Sequence, residues 1–186
     1  SECACQLADR GVAVRLFEMR PSQMSPAHHT DHLAELVCSN SFKSTRPDSA
    51  AGLLKQELRS MGSVLMSCAD RAAVPAGGAL AVDRGQFSQE VEAEVESRPL
   101  IEVVREEAVD IPSGPVVIAA GPLCSPSLSQ RVLSLVGGDA LSFFDAAAPI
   151  VDASTLDMDV LFTQSRYGEE GTGDYLNAPL NREEYE

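Results

Sequence analysis

The chain has 186 residues, 44% hydrophobic and 23% charged, which suits a globular core and is too apolar for a disordered segment. Fourteen Lys and Arg stand against 28 Asp and Glu, so the net charge is −14 and no overall field draws in a phosphate backbone or an anionic membrane. Aromatics make up 5% with no Trp, which argues against interleaved stacking platforms for single-stranded nucleic acid. This length fits one domain, or one and part of another. The five cysteines, Cys3, Cys5, Cys38, Cys68 and Cys124, form no C-x-x-C pair. Their odd count and scattered spacing fit reduced thiols in a cytoplasmic protein and argue against a zinc site, so no metal is expected. No apolar run reaches the length of a membrane span, the N-terminus carries no signal-peptide pattern, and no repeat is visible.

Residues 1–10 read as a helix that stops at Gly11, and Val12–Phe17 as a short buried strand that ends in Glu18. Helix, glycine turn, strand and terminal acid form the second half of a βαβ nucleotide-binding unit. There the carboxylate receives ribose hydroxyls, about 20 residues after a glycine fingerprint. Counting back that far passes residue 1, so the glycine-rich turn is expected ahead of the chain, with residue 1 already inside the first helix. An ordinary solvated Glu after a strand is the alternative.

A Pro- and Ser-rich loop follows Arg20-Pro21 as far as His32. Asp31–Ser41 then places Cys38 just after a short apolar run and just before three small polar residues, with His28, His29 and His32 upstream. A thiol where an element gives way to a polar loop is placed to meet a substrate; the plainer alternative is a small buried hydrophobe. Asp48 or Ser49 caps a helix through about Met61, with Leu54, Leu58 and Met61 on one face and Gly62 as the stop. Val64–Met66 reads as a short strand.

In Val74–Asp83, Pro75, Gly77 and Gly78 make a loop whose backbone can approach a flat ligand, since glycine has no Cβ; a plain turn is the equal alternative. Asp83 caps a helix with Phe87, Val91 and Val95 at i, i+4 and i+8, ending at Pro99. Leu100–Val109 and Pro115–Ala120 read as strands joined by the turn Asp110–Gly114. The second is nearly all apolar, as a parallel strand buried on both faces should be, and ends at Gly121-Pro122, where a strand tip meets a ligand. Ser127–Val136 is a helix stopped by Gly137-Gly138. Leu141–Phe144 and Pro149–Asp152 look like strands, and Ser154 caps a turn of helix through about Phe162. Asn181 and Glu184 match a capping box with no helix behind it, so an element is expected to begin where the chain stops.

Taken together, RLFEMRP (15–21), PAHHTD (26–31), AELVCSNS (34–41), GLLKQE (52–57), VPAGGALAVDR (74–84), VVIAAGPL (116–123), APIVD (148–152), SRYG (165–168) and GDYLNAPL (173–180) resemble the folate-dependent tRNA methyltransferase family TrmFO. That family is related to the tRNA-modifying flavoprotein GidA. The resemblance runs in order over almost the whole chain and implies an internal piece of such an enzyme. It implies an α/β fold: a Rossmann-like, glutathione-reductase-type FAD-binding domain over 1–139, and the start of an inserted α/β substrate domain over 140–186.

It also implies a reaction. Methylenetetrahydrofolate gives its one-carbon unit to reduced flavin, and the carbon passes to C5 of the T-loop uridine in tRNA, forming 5-methyluridine with NAD(P)H as reductant. Uracil C5 is a poor nucleophile until a thiolate adds at C6, and its proton must then go to a base. Cys38 falls on one of the family's two active-site cysteines, as general base toward the C5 proton or as a thiolate that adds to the flavin-borne carbon. Lys43, Arg46 or a protonated histidine are candidates to lower its pKa. The uracil nucleophile is expected beyond residue 186, and the other four cysteines do not sit in its motif. Glu18 matches the acid expected on the adenosine ribose, with Arg20 beside it. Ser39, Asn40, Gly77, Gly78 and Gly121 match positions expected near the flavin. His28 and His29 match the family's pair, in a loop-structural or substrate role.

Without the glycine motif and the second cysteine, the chain alone is expected to bind FAD weakly and to have no turnover. The competing readings are a GidA-like flavoprotein that modifies the tRNA wobble uridine, and a non-catalytic nucleotide-binding module.

Overall fold

The computed structural model describes residues 1–137, 151–165 and 173–185. In chain order the elements are α1 (Glu2–Ala8), β1 (Val14–Phe17), β2 (Ser41–Ser44), α2 (Ala50–Ser60), α3 (Val64–Arg71), β3 (Ala73–Val74), β4 (Ala79–Val82), α4 (Arg84–Glu96), β5 (Ile101–Val104) and α5 (Pro126–Val136). A short 3-10 turn (Ala153–Thr155), β6 (Phe162–Thr163), β7 (Leu176–Asn177) and α6 (Arg182–Tyr185) follow. The fold is mixed α/β. Among the described residues no helix is long and apolar enough to cross a membrane.

Caps and glycine stops lie where the sequence puts them. Gly11, Gly62 and Gly137 take positive φ just past α1, α2 and α5, as glycine does without a Cβ penalty. Ser49 accepts the Gly52 N–H at the head of α2, and Asp83 accepts the Gln86 N–H (2.8 Å) at the head of α4. Phe87, Val91 and Val95 are all but fully buried, as their spacing requires. The Asn181–Glu184 capping box closes reciprocally (2.9 and 3.0 Å) around α6.

Several expectations are corrected. Val12–Phe17 is not a buried strand: β1 starts at Val14, its side chains alternate between half-buried and exposed, and Phe17 is exposed. Of Leu100–Val109 only Ile101–Val104 is strand. Val64–Met66 is not a strand but the first turn of α3, because Ser63 caps Met66 N–H and the buried set Val64, Cys68 and Ala69 follows the helical period. In Val74–Asp83, residues 75–78 are a plain turn, one of the two readings, but it joins β3 to β4 as an antiparallel hairpin and Ala79–Val82 is strand. Pro115–Ala120 forms no strand, and Val116, Val117 and Ile118 lie exposed; an apolar run becomes a strand only where a neighbour supplies its ladder. The 3-10 turn near Ser154 is capped by Asp152 and ends at Thr155, and Phe162 belongs to β6 rather than to a helix. The expected strand at 141–144, part of that at 149–152, residues 166–168 of the SRYG motif and the domain boundary at 139/140 lie outside the described residues.

The chain divides into two compact units: Ser1–Cys38 with the described part of Ser88–Ala147, and Ser39–Phe87 with the described part of Ala148–Glu186. In the first, β1 and β5 run parallel from Val14↔Ile101 to Phe17↔Val104, and the Glu18 N–H extends the ladder onto the Val104 carbonyl (3.0 Å). Helix α1 packs on both strands, and its buried face is Ala4, Cys5 and Ala8. Parallel pairing brings the ends of β1 and β5 to one edge, which in α/β sheets is the ligand edge.

In the second unit the sheet order is β2-β4-β3, antiparallel throughout. Helix α2 does not bury its leucine face: Leu53, Leu54 and Met61 are exposed, while Gly52 and Lys55 are buried. Lys55 Nζ donates to the Phe42 and Ala51 carbonyls (both 2.7 Å), which satisfies an ammonium that burial pushes below its ordinary pKa. Ala76, Ala79 and Ala81 form a small cluster closed by Tyr175.

Gly52 lies so close to the preceding segment that a Cβ there would stand 1.8 Å from the Arg46 carbonyl oxygen. Gly→Ala in a helix ordinarily stabilises by about 0.5–1 kcal/mol. Here the sign reverses: Gly52→Ala is expected to destabilise by about 2–3 kcal/mol, read as a lower urea midpoint.

Candidate functional site

The site is built on the residue that ends β1. Glu18 follows Phe17 directly, and its carboxylate is met by Arg20 from two positions on. Arg20 Nε donates to Glu18 Oε1 (2.9 Å) and Nη2 to Oε2 (3.0 Å), while the Arg20 backbone N–H adds a second bond to Oε1 (3.0 Å). Nη1 reaches the Thr30 carbonyl (3.1 Å) and Glu35 Oε2 (2.8 Å). Four of the five guanidinium N–H groups are thus committed to protein acceptors. The Arg20 side chain is 4% exposed, against 19% for Glu18 and 12% for Glu35, so this is an interior ion pair.

Glu35 collects donors from the loop before it. Its Oε1 accepts the His29 N–H (2.9 Å), and Oε2 accepts the Thr30 N–H (3.1 Å) and hydroxyl (3.0 Å) as well as Arg20. Burial pushes the Glu35 carboxyl up, but the His29 and Thr30 bonds outweigh it and hold the pKa below the usual carboxylate range. Glu18 follows the same logic: burial raises it, and the Arg20 bonds and charge bring it below its ordinary value. Burial and then the Arg20 charge depress His28, so that ring, bound to Ser25 Oγ, is neutral near pH 7.

A second arginine arises at the matching point of β5. Arg105, next after Val104, donates to the Asp31 carbonyl (2.5 Å) and pairs with Glu92 of α4, whose other oxygen binds His32. The segment ahead of Cys38 is therefore held from the ends of both parallel strands. Cys38 itself is exposed in a bend of that segment, against the alternative of a buried hydrophobe. Of the cations considered for it, Arg46 is bound by Asp48 through two bonds (3.0 and 2.5 Å) and His32 by Glu92. Cys5 and Cys68 are buried, and burial pushes the Cys5 thiol up, away from reactivity. Among the described residues no cluster of His, Cys, Asp and Glu has the makings of a metal site.

The acceptors left open at this edge are specific. A carboxylate offers about four lone-pair sites. Glu18 Oε1 already accepts two bonds and Oε2 one, which leaves one site on Oε2. Glu107, three residues past β5, keeps Oε1 buried with no hydrogen-bond partner. Both open acceptors suit a ligand that brings hydroxyl or amino donors.

The remaining sequence candidates are distributed otherwise. Glu18, Arg20, Cys38 and Gly121 lie in the first unit, with Gly121 exposed at positive φ. Ser39, Asn40, Gly77 and Gly78 lie in the second. There Ser39 Oγ accepts the Ser41 N–H (3.1 Å), and Asn40 exchanges bonds with Val82, extending β2 along β4. Gly78 receives Thr45 at the other end of that strand pair, so Asn40 and Gly78 stand apart by about four strand residues, ~13 Å. The Gly77 N–H is taken by Asp174.

These residues belong to a known architecture. The family model described as glucose inhibited division protein A matches residues 1–186. The chain belongs to that family. It is similar to curated proteins named methylenetetrahydrofolate--tRNA-(uracil-5-)-methyltransferase TrmFO: 54% identical over 186 residues in Desulfitobacterium hafniense (strain Y51), and 51% over 186 in Bacillus subtilis (strain 168). The Ligilactobacillus salivarius (strain UCC118) relative is 51% identical over 185 residues. All of this chain is covered, and it spans 42% of the length of each of these relatives.

Sequence reasoning singled out neither Glu35 nor the Glu92–Arg105 pair, nor Glu107. One signal for Glu35 was available: an acid inside the otherwise apolar run Leu33–Val37 is costly unless something buried pairs with it.

Removal of Arg20 strands two mostly buried carboxylates. Arg20→Ala is therefore expected to cost about 3 kcal/mol or more of unfolding free energy at pH 7, measured by urea denaturation. Since the Glu18 and Glu35 pKa values are depressed in the fold, their contribution is full above the unfolded value of about 4.3 and fades as pH falls below it. Glu35→Gln should flatten the acid limb of a stability–pH curve; an unchanged limb would count against this pairing.

Proposed function

We propose that this chain carries the cofactor edge and one active-site thiol of a methylenetetrahydrofolate- and FAD-dependent enzyme that methylates C5 of the T-loop uridine in tRNA. In this reading residues 1–139 belong to a Rossmann-like FAD-binding domain and 140–186 open an inserted substrate domain. The partners are the tRNA T-arm and folate, NAD(P)H is the reductant, and the setting is the cytoplasm. The observation that carries it is Glu18: an acid at the carboxyl end of a parallel strand, held by Arg20, with one acceptor site left over. The names of the relatives and the exposed thiol at Cys38 support the same reading.

Glu18 would accept a hydroxyl of the adenosine ribose at its open Oε2 site. Arg20 would orient Glu18 more than touch the cofactor, since its donors are already engaged. Gly121 would let the chain pass close to the flavin, and Ser39, Asn40, Gly77 and Gly78 are proposed as cofactor contacts by the same family resemblance. When bound, FAD supplies the redox and one-carbon chemistry. Cys38 would be the group that takes the proton from uracil C5, on a loop thiol exposed to solvent.

In the complete gene product, Cys38→Ala should retain FAD and lose 5-methyluridine formation by about 100-fold or more, the scale of a lost acid–base group. An unchanged product level would favour a non-catalytic nucleotide-binding module, and a product at the wobble uridine a GidA-like activity. Glu18→Gln should raise the Kd for FAD about tenfold, since a hydrogen bond to a charged acceptor is worth about 1.5–3 kcal/mol. Flavin fluorescence quenching reads that change.

A further inference from the structure

Residues 21–40 contain no helix or strand. Backbone bonds hold only the two ends of this stretch: Gln23 to Met19 and His28 to Ser25 at the start, and the Val82 N–H to the Asn40 carbonyl at the finish. A stretch of that length is placed by its side-chain ties or not at all. The ties ahead of Cys38 are Arg20 to Glu35 and to the Thr30 carbonyl, Arg105 to the Asp31 carbonyl, His32 to Glu92, and Ser22 Oγ to the Arg105 carbonyl (3.2 Å); after it, Asn40 Nδ2 donates to the Val82 carbonyl (2.9 Å). On the N-terminal side, the tie nearest Cys38 in sequence is Glu35, three residues before it.

Glu35 also does more than span two points. It gathers His29 N–H, both donors of Thr30 and Arg20 on one carboxylate, and so closes residues 29–35 into a ring pinned to the end of β1. Ala34, just before it, sits at φ 56, a left-handed conformation that an L-residue keeps only where its surroundings enforce it. The same guanidinium that holds Glu35 holds both oxygens of Glu18. Whatever occupies the open Oε2 site of Glu18 is therefore three hydrogen-bonded steps from the thiol-bearing segment: to Glu18, on to Arg20, and on to Glu35.

We propose that Glu35 is a positioning residue that, through Arg20, fixes the Cys38 thiol relative to the ligand bound at Glu18. The inference rests on the cofactor reading above for the identity of that ligand, and on the Arg20–Glu35 geometry for the coupling.

The test uses the complete gene product, wild type against Glu35→Ala and Glu35→Gln, with and without FAD. Alkylation of Cys38 by iodoacetamide is followed by peptide mass spectrometry, with the exposed Cys3 as the internal reference. In the wild type, FAD should slow Cys38 alkylation about tenfold. In Glu35→Ala, FAD should still bind, with its Kd within about threefold, but the protection should fall below about threefold, and kcat should drop about tenfold or more at unchanged KM for tRNA. Glu35→Gln keeps the length and an oxygen acceptor and should restore most of both. Full protection and full kcat in Glu35→Ala overturn the proposal. So does loss of FAD binding in Glu35→Ala that Glu35→Gln does not rescue, since that marks a residue needed only for folding. A wild type that binds no FAD overturns the cofactor reading alone. The positioning role is then judged without FAD, where the Cys38-to-Cys3 alkylation ratio must change about threefold or more in Glu35→Ala; an unchanged ratio overturns it.

Discussion

One guanidinium, buried between two carboxylates, holds the first unit's functional edge in register. Arg20 is 3% exposed and shares its donors between Glu18, Glu35 and a backbone carbonyl. Interior ion pairs of this kind contribute little net stability, because desolvation offsets the attraction. Their effect is on arrangement: a planar fork satisfies its acceptors in few geometries, so the strand end and the loop can meet in few ways. The loop 29–35 has no ladder of its own, and this pairing takes the place of one.

The other arginines follow a related pattern. Arg15 pairs with Glu102, Arg59 with Asp70, Arg98 with Asp9 and Glu94, Arg105 with Glu92, and Arg131 with Asp110. In a chain of net charge −14 these cations serve as internal fasteners. Among the described residues they do not add up to a basic stripe of the kind that tracks a phosphate backbone. Polyanion attraction therefore has no source in these ion-paired side chains.

Local grammar was the legible part of the sequence. The Asp83 and Ser49 caps, the glycine stops and the Phe87–Val91–Val95 spacing are set within a few residues, and each formed as read. The strand–acid junction at Glu18 was legible for the same reason. Of the misread parts, one turned on a local cap and the rest on partners distant in sequence. Val64–Met66 is too short for its period to separate helix from strand, and a serine cap decided it. Pro115–Ala120 carries the composition of a central strand, but composition supplies no ladder. Helix α2 buries Gly52 and Lys55 because the Arg46 carbonyl and the Phe42 carbonyl approach that face, a fact of tertiary contact. Glu35 stayed hidden because its meaning comes from Arg20, 15 positions earlier.

The exposed run at Val116–Ile118 carries a liability of another kind. Two valines, an isoleucine and two alanines, with no charge among them, make a short β-prone segment open to other molecules. Pro115 and Pro122 stand at its two ends and cannot donate to a ladder, so a sticky stretch is confined to six residues. Concentrated solutions of this chain would be expected to associate edge to edge through that window, with the flanking prolines acting as gatekeepers against its spread into fibrils.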